Sequence, residues 1–205
     1  VAAFPTLTKS YATGALVEFK DHLRSAAKQI IFWSLPITFL FIVLRAQIVR
    51  VVLGSGVFSW EHTRLVAASL ALFAISIMAQ GLIALFARAY YARGDTRRPL
   101  LINFFSSLCI VLLAVFFLHL FKNSIFFPQF LESLLKVSDL PGTEVLVLPL
   151  AYSLGTTLNF LLLWFFIKRD FMPGEDFIFT TFFQSLSASF FIGVVTYFGL
   201  NLFSP

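Results

Sequence analysis

Charge is scarce in this chain, and the few charged residues avoid the long apolar runs. Only 12% of its 205 residues are Asp, Glu, Lys or Arg, whereas 59% are hydrophobic and the mean hydropathy is +0.91. Soluble domains carry about 25% charged residues, so this composition excludes an ordinary water-soluble globule and also a disordered chain. The aromatic residues are 28 Phe against 5 Tyr and 3 Trp, a bias toward rings without polar atoms that suits hydrocarbon.

Groups that carry catalysis or bind metals are also few. Cys109 is the single cysteine, so it has no intramolecular disulfide partner, and we interpret it as a small buried hydrophobe. The three histidines, at positions 22, 62 and 119, lie in different segments and lack metal-ligand spacing. The sequence therefore predicts no enzyme, no cofactor and no metal site. The net charge of +5 is interpreted as membrane topology and headgroup contact rather than nucleic-acid binding.

Five apolar stretches are long enough, or nearly so, to cross a membrane as helices. They cover residues 30–44, 65–87, 99–121, 145–167 and 177–203. A spanning helix needs about 20 mostly apolar residues, and Pro36 predicts a kink in the first and shortest stretch. Backbone exposed to lipid must bond within its own segment. We therefore predict an all-α, polytopic helical membrane protein with five transmembrane helices.

The basic residues predict how these spans are oriented. Five spans place the two ends of the chain on opposite sides, and cytoplasmic segments carry an excess of Lys and Arg. One side has ten basic residues, at positions 9, 20, 24, 28, 88, 93, 97, 98, 168 and 169, and the other has five, at 45, 50, 64, 122 and 136. We expect a cytoplasmic N-terminus and an external C-terminus.

Two further helices are predicted outside the spans. Leu16, Phe19 and Leu23 recur at helical spacing before the first span, with charged residues on the opposite face. This pattern is typical of an amphipathic helix, either lying in the cytoplasmic interface or packed on the rest of the protein. We therefore divide the chain into residues 1–29, the end of a preceding span plus this helix, and residues 30–205, a five-helix membrane bundle. The connection 122–144 predicts a short external helix resting on the headgroups.

Uncharged polar residues recur at helical spacing inside the spans. Ser76 and Gln80 share one face of the second span, and Thr156 and Asn159 share one face of the fourth. Two interpretations stay open. The residues line a wet cavity through which a polar headgroup moves, or they form hydrogen bonds between packed helices.

The connection between the second and third spans, residues 88–98, is the most distinctive segment. Gly94 can take the left-handed conformation that ends a helix, Asp95 or Thr96 can cap the next helix, and Pro99 suits its first turn. The segment predicts a tight cytoplasmic hairpin. Arg93, Arg97 and Arg98 either serve fold and topology alone or also contact anionic lipid headgroups, worth about 1 kcal/mol each.

Three motifs, in order along the chain, resemble the MviN/MurJ family of lipid II flippases. Residues 87–99 (ARAYYARGDTRRP), including Arg93, Gly94, Asp95, Thr96 and Pro99, are similar to the family hairpin FYARGDTRTP. Residues 4–8 (FPTLT) are similar to its LPSLSR segment, and residues 48–58 (IVRVVLGSGVF) to its IVRLLFGRGAF segment. The resemblance covers nearly all of this chain but only part of a family member, and it matches spans nine to thirteen of fourteen, in the C-terminal lobe.

The resemblance implies transport of lipid II across the bacterial cytoplasmic membrane by alternating access. The implied partners are lipid II or a related polyprenyl-pyrophosphate saccharide, membrane lipids, and other proteins of cell-wall synthesis. Two alternatives stay open: a flippase for another polyprenyl-linked saccharide, such as an O-antigen or capsule precursor, and a nontransporting scaffold for cell-wall synthesis. The family's essential cavity arginines lie outside the matched spans, so none is assigned to this chain.

Three positions depart from the family. Ile110, Ala114 and Tyr152 align where members often carry Asn, then Asn or Asp, and Thr, which help some members bind sodium. Their side chains cannot coordinate a hard cation as those residues do. The sequence therefore argues against sodium coupling.

Overall fold

The computed structural model describes residues 3–53, 60–173 and 177–203, and these residues are almost entirely helical. No strand occurs among them, which confirms the all-α prediction. The nine helices of the described residues are α1 (Ala3–Ala12), α2 (Leu16–Val43), α3 (Arg45–Leu53), α4 (Trp60–Ala74), α5 (Ile77–Ala92), α6 (Arg97–Asn123), α7 (Phe126–Leu135), α8 (Val147–Phe171) and α9 (Phe177–Phe203), and a 3₁₀ turn, Thr143–Leu146, leads into α8.

Five segments have the length and composition of membrane spans. Four of them are single helices: α2, α6, α8 with its 3₁₀ turn, and α9. The fifth is the consecutive pair α4 and α5, when the two helices are counted as one span bent by 42°. Each of the five predicted spans thus has a counterpart, and α9 has the predicted bounds.

Successive spans run in alternate directions and give the bundle two distinct ends. The hairpin end contains the α5–α6 connection, the start of α2 and the end of α8. The opposite end contains α3, the start of α4 and α7. Along the bundle, α8 packs against α4, α5 and α6, and α2 packs against α5 and α9.

The N-terminal amphipathic segment does not form a separate helix in the membrane interface, which was one of the two expected arrangements. It continues into the first span as one helix, α2, which passes through Pro36, so the expected division at residues 29 and 30 falls inside a helix. Its apolar residues Phe19, Leu23 and Ala27 are fully buried against other helices. The reason is local, because nothing between residues 16 and 30 breaks a helix and the apolar face meets α1 and α5.

The second span differs from the single uninterrupted helix that we predicted. It breaks at Ile75 and Ser76, between α4 and α5. No Pro or Gly lies at this break, although these residues cause most kinks. The composition of the segment therefore contained no signal for the break.

The buried side chains form two separate clusters, one toward each end of the bundle. The hairpin-end cluster joins α1, α2, α5, α8 and the start of α9, and Phe19, Phe86 and Tyr90 are fully buried within it. The opposite-end cluster packs α4 against α7, the connection that follows α7, and the 3₁₀ turn. It contains eight buried residues: Ala68, Ala71, Leu72, Leu131, Leu135, Val137, Leu140 and Leu146. The α4–α5 break lies between the two clusters, because α4 contributes to one and α5 to the other.

The long connection 122–144 contains the predicted helix, α7, which packs onto the protein. Leu131 and Leu135 point into the opposite-end cluster. Two arginines fasten the segment: Arg45 donates to the Leu135 carbonyl at 3.0 Å, and Arg64 donates to both carboxylate oxygens of Asp139 at 2.6 and 2.8 Å. The hydrogen bonds from Arg64 hold the pKa of Asp139 below its usual range.

One of the three family-like motifs lies partly outside the described residues. Residues 48–53 of that motif belong to α3, and residues 54–58 are outside the described ranges. The other two motifs lie in α1 and at the α5–α6 hairpin.

The surface of α7 predicts that this helix dips into the membrane interface. Phe126, Phe130 and Leu134 form an exposed apolar strip. The neighbouring Phe127 stacks on Phe117 of α6 at 5.6 Å between ring centroids, so the strip continues the apolar surface of a span.

We expect nitroxide labels at Phe126→Cys and Phe130→Cys to be accessible to oxygen and shielded from a water-soluble nickel reagent. Ser138→Cys, exposed in the connection after α7, is the control and should show the reverse. The measurement is power-saturation electron paramagnetic resonance in liposomes. Equal nickel accessibility at all three positions would contradict the placement of α7.

Candidate functional site

The α5–α6 hairpin is built as its sequence predicted. Gly94 has φ of +81°, a left-handed conformation that costs glycine little. The N–H groups of Gly94 and Asp95 donate to the carbonyls of Tyr91 and Tyr90 at 2.9 and 3.0 Å, which is the Schellman pattern at a helix end. The cap of α6 comes from Asp95, whose Oδ1 accepts from the Arg98 N–H at 3.3 Å.

The other two motif residues of the hairpin are placed as follows. Thr96 occupies the position before α6 but makes no capping hydrogen bond through its side chain. Pro99 is buried in the first turn of α6. The sequence left open which of Asp95 and Thr96 caps the helix, and the structure selects Asp95.

Asp170, near the end of α8, ties the hairpin to the rest of the bundle. Its side chain is only 10% exposed and its Oδ2 contacts Arg98 Nη1, while the Tyr90 hydroxyl donates to the same oxygen at 3.2 Å. Arg93 Nη1 lies 3.8 Å from that oxygen. One carboxylate therefore joins α5, the hairpin turn, α6 and α8. We call the group formed by Asp170, Tyr90, Arg93 and Arg98 the Asp170 clamp.

The clamp is held in place by aromatic packing. The Phe171 ring lies edge-on to Tyr90 at 5.5 Å and near Phe19 at 5.4 Å. The Arg93 guanidinium sits 5.5 Å from the same ring, a cation–π arrangement. Because Arg98 also bonds Asp95 at 3.1 Å, the hairpin cap and the clamp share one arginine.

Sequence reasoning did not find Asp170. It identified Lys168 and Arg169 as the basic end of the fourth span and passed over the acidic residue beside them. A carboxylate next to a basic pair at the end of a span was the available signal, because such a group needs a buried cation once it is desolvated. Of the three hairpin arginines for which lipid contact was an alternative, Arg93 and Arg98 face Asp170, and Arg97 is exposed.

The four polar candidates inside the spans have different surroundings. Ser76 is fully buried at the α4–α5 break, where its hydroxyl donates to the Phe73 carbonyl at 2.7 Å and accepts from Gln80 at 2.8 Å. Thr156 is buried in α8. Asn159 donates to Asn103 of α6 at 2.9 Å. Gln80 alone of the four is exposed, on α5.

The contact between α6 and α8 is close and mostly apolar. A Cβ atom at Gly155 would lie 2.2 Å from the Ile110 side chain, so only glycine permits this approach. Tyr152 packs its ring edge-on against Phe73 at 5.4 Å. Ile110 and Tyr152 thus fill their positions with apolar contact, and the described residues contain no cluster of His, Cys, Asp or Glu fit for a metal. A sodium site does not fit these two positions.

An apolar groove of about 410 Å³ opens between α2, α5, α8 and α9, beside the α4–α5 break. Two hydroxyls lie in its lining, and both are engaged: Thr38 donates to the Ala74 carbonyl at 3.3 Å and Thr157 to the Ser153 carbonyl at 2.8 Å. Ile75, Leu161 and Phe179 line the groove and are exposed. Its chemistry suits a hydrocarbon chain and offers nothing to a charged group.

The whole chain matches one known protein family. The sequence profile described as "Lipid II flippase MurJ" matches residues 1–205. The chain belongs to the MurJ family. This is a family of membrane transporters, so the prediction of a non-enzymatic membrane protein is confirmed.

Two relatives are similar over about half of this MurJ-family chain. The "Probable lipid II flippase MurJ" of Rickettsia prowazekii (strain Madrid E) is 31% identical over 102 residues, which are 50% of this chain and 20% of that protein. The protein of the same description from Rhizobium tropici is 29% identical over 100 residues, 49% of this chain and 19% of its own length. The matched stretch thus spans about a fifth of each relative.

We expect Asp170→Asn to lower stability by about 1.5–3 kcal/mol, because it removes the charge of a nearly buried carboxylate that is bonded by Arg98 and Tyr90. The measurement is the free energy of unfolding in detergent. Asp21→Asn is the matched control: Asp21 is exposed and 3.7 Å from Arg24, and such a surface pair is worth about 0–1 kcal/mol. Equal losses in the two variants would refute a structural role for the clamp.

Proposed function

We propose that this chain forms part of a lipid II flippase of the bacterial cytoplasmic membrane. The observation that carries the proposal is the match of the MurJ profile over residues 1–205. The five span-like segments and the built hairpin support it. Within the flippase, the bundle contributes one wall of the headgroup route and a groove for the polyprenyl tail.

The apolar groove is the proposed place of the tail. Its two hydroxyls are occupied by backbone carbonyls, and its exposed lining residues are apolar side chains on span-like helices. A polyprenyl chain brings no polar atom that would need a partner there. On the neighbouring surface of α5, the exposed Gln80 is the candidate to face the headgroup.

We also propose the orientation that the charges predict, with the hairpin end in the cytoplasm. The ten basic residues of the expected cytoplasmic side belong to the hairpin end, and the five others to the opposite end. The asymmetry meets the positive-inside rule.

The full-length parent should rescue a bacterium depleted of its own lipid II flippase. Ala79→Phe should abolish the rescue, because Ala79 lines the groove and a phenyl ring there would fill it. Ser107→Phe adds similar bulk on an exposed position of α6 and should leave rescue unchanged. Rescue is measured as colony formation, with membrane levels compared by immunoblot.

Three outcomes would change the proposal. Failure of the parent despite normal membrane levels would exclude lipid II and favour another polyprenyl-linked saccharide. Rescue by Ala79→Phe equal to that of the parent would exclude the groove as the tail site. Equal loss in both Phe variants would mean that added bulk, and not the groove, matters.

Orientation can be tested with single cysteines after Cys109 and any other cysteine of the parent are replaced by Ala. Ser138→Cys, in the exposed connection after α7, should react with a membrane-impermeant maleimide in intact spheroplasts. Glu18→Cys, exposed near the start of α2, should react only after permeabilisation. The reverse pattern would invert the topology.

A further inference from the structure

The α4–α5 break leaves carbonyl groups without their usual helical partners inside a membrane span. A helix that stops frees the last four carbonyls of its final turn, and hydrocarbon has no water to satisfy them. The final turn of α4 comprises residues 71–74. Such a break is stable only where other groups bind these carbonyls.

Three hydroxyls bind three of these four carbonyls, those of residues 72–74, and two of the hydroxyls come from other spans. Ser153 of α8 donates to the Leu72 carbonyl at 2.6 Å. Thr38 of α2 donates to the Ala74 carbonyl at 3.3 Å. The Phe73 carbonyl accepts from Ser76, through both its backbone N–H at 3.0 Å and its hydroxyl at 2.7 Å.

A straight helix would satisfy the same carbonyls without help. In an unbroken α4–α5 span, each carbonyl would accept from the N–H four residues later. The span therefore has two arrangements in which its backbone is bonded. The bent one depends on hydroxyls of α2 and α8, and the straight one does not.

The surroundings of the break permit movement between the two arrangements. Both halves pack against α2 and α8, but the buried residues of α4 belong to the opposite-end cluster and those of α5 to the hairpin-end cluster. The groove of about 410 Å³ adjoins the break at Ile75, Met78 and Ala79. A change of bend can therefore move Ile75 and Met78 into open space rather than into a close-packed core.

We propose that this break is a hinge, and that Thr38 and Ser153 are positioning residues that hold it bent. Relative motion of α2 or α8 against α4 breaks one of these hydrogen bonds and releases the span to straighten. The role of the hinge in transport rests on the proposed function, whereas the bend and its two hydroxyls do not.

The test measures the length of the span by double electron–electron resonance. Nitroxide labels are placed at Glu61→Cys and Tyr91→Cys of the full-length parent in liposomes, with all other cysteines replaced. Both positions are exposed, one near each end of the α4–α5 pair. Straightening a 42° bend lengthens the distance by about 3 Å for helices rising about 1.5 Å per residue.

The double variant Thr38→Val with Ser153→Ala should shift the distance toward the longer value. Thr38→Ser with Ser153→Thr keeps both hydroxyls and should retain the parent distance. Thr157→Val is the matched control, because its hydroxyl lines the same groove but bonds the carbonyl of its own helix. An unchanged distance in the double variant, or the same shift in Thr157→Val, would overturn the hinge.

Complementation separates the hinge from the proposed function. The double variant should reduce rescue at least tenfold at normal membrane levels, and the hydroxyl-keeping variant should restore it. Full rescue by a straightened double variant would overturn the role of the hinge in transport. Failure of the unmodified parent would refute the proposed function and leave the distance result to decide the hinge.

Discussion

Backbone carbonyl and N–H groups inside a hydrocarbon layer need partners within the protein, and this requirement organises the molecule. It makes the described residues helical and confines irregular backbone to the two ends of the bundle, with one exception. At the α4–α5 break the chain interrupts a span, and hydroxyls from α2, α8 and the break itself meet the requirement. The interruption therefore cannot be understood from α4 and α5 alone.

The charged residues that link helices to one another lie at the two ends of the bundle. At the hairpin end, Asp170 is held among Arg98, Arg93 and Tyr90, so the basic residues that report topology also fasten three helices. At the opposite end, Arg45 and Arg64 fasten the segment that contains α7. In both places an arginine serves as a structural link because its guanidinium can donate several hydrogen bonds at once.

One buried cluster lies at each of these two ends. Each end of the bundle therefore has its own buried cluster and its own arginine contacts, and the second span, with its break, connects the two ends. The apolar groove lies at this junction, between α2, α5, α8 and α9. The proposed hinge therefore lies beside the groove that we propose for the lipid tail.

The sequence by itself determined the spans, their helical state and the hairpin, because hydropathy, flanking charge and the conformation of Gly94 are local properties. It also contains the three motifs that resemble those of the family. Only the tertiary structure decided that Asp170 contacts the hairpin arginines and that the second span breaks at Ser76. Those features depend on which helices become neighbours: Ser153 is 81 residues from Leu72 along the chain, and no local pattern records a partner at that distance.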